Sequence, residues 1–291
     1  MTDTGIALEA VEASGRGAAA MFFRNKAAVL GLALFTGIVV MSIFGPGWYG
    51  VDADDMVARP FAPPGDEFGP RLGVDYLGRD VLAGVIVGGR TTLVVGAAAA
   101  GMSMTIGLVI GGLAGYYGRW VDAILMRLTE LFQVQPPLLF ALVLLALFGP
   151  SSKTVALAVG LVSWPAAARL TRAEFLKIRE LEFVKAARTV GASDLRIMLR
   201  TILPNAMPPL IVATALTVGL AILFEAGVSF LGLSNNRVVS WGSMIGKNQF
   251  YLLDAWWTVT FPGIAIFLTV LSIVLIGDGL QDAFNPKLRG R

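Results

Sequence analysis

The chain is 291 residues long, 56% hydrophobic and only 15% charged, with no histidine and no cysteine. Soluble domains carry about 25% charge, so this composition, with a mean hydropathy of +0.73, indicates an integral membrane protein. The missing cysteine excludes disulfide and thiolate chemistry, the missing histidine removes the commonest metal ligand and neutral-pH general base, and a net charge of +3 makes the placement of charge more informative than its sum.

Residues 1–26 form an N-terminal tail with Asp3, Glu9 and Glu12 ahead of the first arginine. The apolar run from Ala27 to Phe44 is longer than a signal-peptide core and ends at "FGPGWYG" without a small-x-small cleavage site, so it reads as a retained first span over 27–47. A proline- and glycine-rich external segment follows over 48–90. Within it, Leu77, Val81, Leu82, Val85 and Ile86 recur three to four apart, which predicts a short helix over 76–88 lying at the outer membrane surface. The "DADD" at 52–55 lacks the spaced glycine and closing glutamate of a calcium loop and reads as a solvated turn.

Further apolar runs at 91–116, 122–148, 152–172, 206–226 and 255–277 each approach the roughly 20 residues that cross about 30 Å of hydrocarbon. The first of these, "GAAAAGMSMTIGLVIGGLAGYYG", is rich in small residues and predicts a helix buried in a bundle. Its "GAAAAGMS" has the glycine spacing of a phosphate loop, but Met102 stands where the lysine must be, so the run reads as helix packing. The 122–148 run holds Arg127, Glu130, Gln133, Gln135 and Pro136-Pro137. It reads either as one kinked helix or as an interfacial turn followed by a span, with Glu130 one turn from Arg127 as a structural pair or an inner interface position. A core transmembrane domain thus covers 91–277, and 278–291 form a C-terminal tail.

Arginine and lysine set the orientation, because short loops rich in them stay inside. Arg16, Arg24 and Lys26 precede the first span, Arg119 and Arg127 follow the second, and Lys287, Arg289 and Arg291 follow the last. Arg169, Arg172, Lys177, Arg179, Lys185, Arg188, Arg196 and Arg200 lie between the fourth and fifth. The 48–90 segment is acid-rich, Lys153 stands alone, and 227–254 holds only Arg237, Lys247 and Asp254. Six transmembrane helices with both termini cytoplasmic satisfy the rule throughout.

The basic loop, 180–204, has internal order. Phe183, Ala187 and Val190 share one helical face, and Glu182, Lys185 and Arg188 another, where charges three apart can pair. Gly191 suits a helix-terminating position, Ser193 a helix cap, and Asp194 the positive end of the next helix. That helix places Leu195, Leu199 and Ile202 opposite Arg196 and Arg200, and Pro204 is expected to end it. Two short amphipathic helices meeting at a glycine fit a docking element for a cytoplasmic partner. They also fit a basic loop that only fixes topology. A DNA-binding pair is disfavoured because the loop is clamped to a bilayer, so nucleic acid is not an expected partner.

"KAARTVGASDLRIMLRTILP" resembles the cytoplasmic coupling motif of binding-protein-dependent ABC importers, with Ala186, Ala187, Gly191, Leu203 and Pro204 matching, Lys185 in place of the usual acid and Thr201 in place of isoleucine. "LGVDYLGRDVLAGVIVGGRTTL" (72–93), "EAGVSFLGLS" (225–234), "SWGSMI" (240–245) and "GDGLQDAFNPKLR" (277–289) are similar to the dipeptide/oligopeptide/nickel permease family, and closest to its second permease subunit. The resemblance implies an all-α type I importer permease that is not itself an enzyme and holds no cofactor. It would pair with a second homologous permease subunit and with one or two cytoplasmic ATPase subunits that bind ATP and magnesium. An external binding protein would deliver short peptides, nickel complexes or another peptide-like solute. The coupling contact would fall on Glu182, Lys185, Ala186, Ala187, Arg188, Gly191, Ala192, Asp194, Leu203 and Pro204.

Glu225, at the outer end of the fifth span with Ser229 and Phe230, is a candidate for the translocation path or its gate; the alternative is a structural acid bonded to backbone or to Arg90. Trp241, Trp256 and Trp257 are expected to anchor in membrane lipid as an aromatic belt. A secondary transporter, the reading from another class, needs an internal repeat and mid-membrane charges, and neither is visible in the sequence.

Overall fold

The structure, a computed structural model, describes residues 19–66, 69–233 and 238–284. Asp3, Glu9, Glu12, Arg16, Arg237, Lys287, Arg289 and Arg291, invoked above, lie outside those residues. The helices in chain order are α1 (Lys26–Tyr49), α2 (Val81–Tyr117), α3 (Arg119–Val134), α4 (Pro137–Phe148), α5 (Ser152–Arg179), α6 (Glu182–Thr189), α7 (Asp194–Arg196), α8 (Leu203–Phe230), α9 (Trp241–Asn248) and α10 (Trp257–Phe284). A π-helical stretch, Ile197–Ile202, joins α7 to α8 without a break. Five helical stretches are long and apolar enough to cross a membrane, and the pair α3–α4, bent by 86°, makes six if it counts as one.

The separate surface helix expected over 76–88 does not form. Asp75 Oδ1 accepts from the backbone N–H groups of Leu77 and Arg79 at 2.8 and 2.9 Å, and Gly78 sits at φ +83°, so this stretch is a tight turn. Asp80 then caps α2, its Oδ1 accepting from Leu82 and Ala83. Its Oδ2 accepts from the Tyr49 hydroxyl at 2.6 Å, which ties the end of α1 to the start of α2. From Val81 the helix runs unbroken to Tyr117.

The bundle is organised by α2 against α5. A Cβ placed on Gly107 would lie 2.5 Å from the Ala167 Cβ, and one on Gly115 would lie 2.7 Å from the Arg172 carbonyl oxygen. Glycines four apart therefore form a stripe along α2 on which the α5 backbone rests, the arrangement that packs helices where water supplies no driving force. The paired positions rise together along both helices, so α2 and α5 run parallel. The chain between them must return to the opposite end, and α3 and α4 make that return.

The run at 122–148 is two helices that meet at a bend of 86°. Pro136 and Pro137 break the helix, leaving an amphipathic α3 and a 12-residue α4, about 18 Å long at 1.5 Å per residue. Two polar contacts hold α3 to α5. Arg172 binds Asp122 in a bidentate pair at 2.5 and 2.6 Å, and Arg169 donates to Gln133 at 3.0 Å. Arg127 pairs with Glu130 at 3.0 Å, as its spacing suggested, with both side chains exposed.

Two of the three belt tryptophans are not at a surface. Trp241 and Trp257 are buried, and their indole N–H groups donate to the carbonyls of Val85 and Val74 at 2.8 and 3.0 Å. A buried indole requires such an acceptor, so both serve as internal struts, while Trp256 stays exposed.

Substituting Gly115 with leucine should lower the melting temperature of the detergent-solubilised chain, at an overpacking cost of about 1–3 kcal/mol. Gly101→Leu, on the same helix with open space around it, should melt like the unsubstituted chain. Thermal melts of the two variants side by side check this.

Candidate functional site

Contacts place the 180–204 hairpin at the end of the bundle where α2 and α5 stop and α8 begins. Val184, Ile197, Met198 and Ile202 are buried there against Tyr116, Phe175 and Ile178. The apolar faces read from the sequence are divided: Ile202 turns inward and Ala187 is half-buried, while their other members stay exposed as a docking face would. Phe183, Val190, Leu195 and Leu199 point outward, with Val190 83% and Leu195 66% exposed. Val184 turns inward because α5 leads straight into α6 through Glu180 and Leu181, which fixes the rotation of α6 about its axis.

Gly191 terminates α6 as expected, and the turn is complete. Its N–H donates to the Arg188 carbonyl at 3.0 Å, and that of Ala192 donates to Ala187 at 3.1 Å, the reciprocal pair of a Schellman motif. Gly191 has φ +79°, and a Cβ added there would meet nothing within 4 Å, so backbone conformation, not space, requires glycine there. Ser193 stands at the cap position but makes no side-chain cap bond. Asp194 instead accepts from the Tyr116 hydroxyl at 2.6 Å.

Pro204 does not end the helix. The chain stays helical from Asp194 to Phe230, because the wider π turns before Pro204 accommodate its ring and missing N–H. The Asn205 amide donates to the Thr201 carbonyl at 2.7 Å.

Of the coupling candidates, Glu182 and Lys185 pair at 3.0 Å on the exposed side of α6. Such an exposed pair contributes about 1 kcal/mol or less. Ala186 and Arg188 are exposed, and Ala187, Ala192 and Leu203 are half-buried. Gly191, Asp194 and Pro204 are exposed. Val190 and Leu195, which the motif did not single out, are exposed apolar residues on either side of the Gly191 hinge.

The second candidate cluster lies toward the other end. Glu225 and Ser229 are both buried, and the Ser229 hydroxyl donates to Glu225 Oε1 at 2.7 Å. Glu225 also lies beside the Ser240 hydroxyl, and its Oε2 has no hydrogen-bond partner among the described residues. A Cβ on Gly242 would fall 2.6 Å from the Ala226 Cα, so α9 lies directly on the last turns of α8 and covers this pair. Phe230 is partly exposed and stands apart. Arg90 is exposed and forms no ion pair with Glu225. None of the three residues lines the open groove of about 680 Å³ at the hairpin end, where Glu174, Lys177, Asn205, Pro208, Gln281 and Phe284 meet.

No cluster of three or more metal-ligating side chains occurs among the described residues. What the hairpin offers is a surface, rigidly backed and with apolar residues exposed beside its hinge. The model of the inner membrane component of binding-protein-dependent transport systems matches residues 107–290, which include the whole hairpin. The chain belongs to that family. A model of the N-terminal transmembrane domain of oligopeptide transport permease C matches residues 15–64 of the same chain.

Relatives cover nearly all of this permease. The dipeptide transport system permease protein of Alkalihalophilus pseudofirmus is 36% identical over 91% of this chain and 88% of its own. A putative peptide permease protein of Brucella ovis is 40% identical over 91% of this chain and 89% of its own. In fold, the permease is similar to a chain of the MetNI methionine ABC transporter in inward-facing conformations, with a TM-score of 0.58 and 18% identity over 69% of this chain and 96% of that one. The permease is thus an all-helical, multi-pass protein of the cytoplasmic membrane.

The polar ties of the hairpin and of α3 were missed by sequence reasoning. Tyr116 and Asp194 lie 78 positions apart, and Arg172 and Asp122 lie 50 apart, so no local period links them. Only the parallel packing of α2 and α5 brings them within reach.

Gly191→Ala forces a Cβ into the left-handed region at a cost of about 1–2 kcal/mol. Amide exchange across 188–194 should quicken about tenfold while the protection of α8 stays unchanged, as read by mass spectrometry of exchanged peptides.

Proposed function

We propose that this permease is one of two membrane subunits of an ATP-driven importer of short peptides, and that the 180–204 hairpin is where a cytoplasmic ATPase subunit docks. The observation that carries the reading is the two-sidedness of the hairpin. Val184, Ile197 and Ile202 are fully buried against α2 and α5, while Val190 and Leu195 stand exposed beside Arg188 and Arg196. Exposed apolar residues flanked by charged ones suit the apolar core and polar rim of a protein interface.

Six spans with both termini inside follow if α3 and α4 together make one crossing, a reading that the parallel packing of α2 and α5 supports. The arginine-rich hairpin then lies on the cytoplasmic side, in keeping with the placement of basic residues. ATP and magnesium are held by one or two ATPase subunits; their closure moves the hairpin, and the hairpin moves the spans, alternating access. A second homologous permease completes the path, and an external binding protein delivers the solute. Short peptides are the favoured cargo, because the relatives over nine-tenths of this chain are named as dipeptide and peptide permeases.

Exchange of Val190 or Leu195 for aspartate places a charge beside the hinge, away from the buried face. Either variant should reach the membrane at normal abundance, lose at least nine-tenths of its co-purifying ATPase and lose peptide uptake to the same extent. Retention of the ATPase by both variants overturns the docking assignment.

A further inference from the structure

The hairpin bends at a glycine, and a hinge that is free to flex would absorb a push instead of transmitting it. One side chain spans that hinge. The Tyr116 hydroxyl, in the last turns of α2, donates to Asp194 Oδ1 on α7 at 2.6 Å. The guanidinium carbon of Arg188, on α6, lies 5.3 Å from the centroid of the same ring. Gly191 lies between these two contacts in the chain. The phenol therefore touches both arms, one through a hydrogen bond to a carboxylate, which is stronger than a neutral one, and one through a cation–π contact.

Tyr116 is itself firmly held. It is 4% exposed and packs among Phe175, Ile178, Val184, Ile197 and Ile202. Arg179, from the end of α5, donates through Nη1 to the carbonyls of Gly115 and Tyr116 at 3.1 and 3.0 Å. These are carbonyls that the end of a helix leaves without intrahelical partners. The ring thus stands on the rigid α2–α5 pair and reaches across the hinge to both arms.

We propose that Tyr116 is a positioning residue that fixes the angle between α6 and α7 and joins the hairpin to α2, so that displacement at the docked ATPase reaches the spans. This rests on the reading of the hairpin as the ATPase dock. The residue touches neither nucleotide nor solute; it acts through Asp194 and Arg188.

The test uses the complete transporter in liposomes: both permeases, the ATPase subunits and the binding protein, with a labelled dipeptide. Uptake and ATP hydrolysis are measured in the same vesicles. Tyr116→Phe keeps the buried ring and removes the hydroxyl. It should retain ATPase subunits at normal stoichiometry, while dipeptide transported per ATP hydrolysed falls about tenfold, equivalent to about 1.4 kcal/mol. Asp194→Ala should lower the ratio to the same degree, and the double variant should add nothing further, as expected of two ends of one contact. With ATPase bound at normal stoichiometry in both, Asp194→Asn, which still offers an acceptor to the phenol, should transport more dipeptide per ATP than Asp194→Ala.

A purely structural Tyr116 would lower uptake and hydrolysis together and leave their ratio intact. An unchanged ratio in Tyr116→Phe with ATPase bound overturns the proposal while the docking reading stands. Failure of any ATPase to co-purify with the unsubstituted chain overturns the docking reading instead. Where Tyr116→Phe does not accumulate in the membrane, the comparison of Asp194→Asn with Asp194→Ala reads the same contact, and equal ratios there refute it.

Discussion

The close approach of α2 to α5 governs this structure. Glycines at 107, 111 and 115 leave no room for side chains between the two backbones, and the pairing aligns the helices in parallel. Several features follow from that alignment. The chain between the helices must run back across the bundle, which is why α3 and α4 exist as a pair. The ends of α2 and α5 finish side by side, which creates the platform on which the hairpin sits. The Arg179 side chain of one can then cap the open carbonyls of the other.

Polar contacts are concentrated where this frame meets its attachments. Asp122 and Arg172 hold α3 to α5, Tyr116 and Asp194 hold the hairpin to α2, and Asn25 donates to Asp282 where α1 meets α10. At the opposite end, Tyr49 and Asp80 join α1 to α2, and the buried indoles of Trp241 and Trp257 bond backbone carbonyls. Where surrounding lipid is as apolar as the side chains, packing and hydrogen bonds must supply the specificity that the hydrophobic effect supplies in water. The middle of the bundle is accordingly small-residue packing, and its two ends are pinned by named pairs. The Glu225–Ser229 pair under α9 is the exception, a carboxyl buried within a span, where the cost of such a group is high.

Much of the fold was legible in the sequence. Apolar runs located the long helices to within a few residues at most ends, because about 20 apolar residues have few other uses in a chain of this composition. Gly191 was legible as a helix stop for an equally local reason: the Schellman turn needs one residue at positive φ. The pairs Glu182–Lys185 and Arg127–Glu130 were legible because three-residue spacing puts them on one face. Local spacing misled at three places. Apolar periodicity over 76–88 belongs to the first turns of a long helix, not to a separate one. Pro204 lies inside a helix that widens to take it. The tryptophans at 241 and 257 resemble belt residues until their buried acceptors are seen.

The sequence by itself determined the solvent, the approximate number of crossings, the hinge in the basic loop and, through its motifs, the family. These are properties of composition and of neighbours within one or two turns. Tertiary structure alone decided which face of the hairpin is buried, that Val190 and Leu195 stand exposed beside its hinge, and that one tyrosine reaches both arms. Those facts depend on α2 meeting the hairpin, as Tyr116 meets Asp194 across 78 positions, at the end of two parallel helices, and no local period in the chain encodes such a meeting.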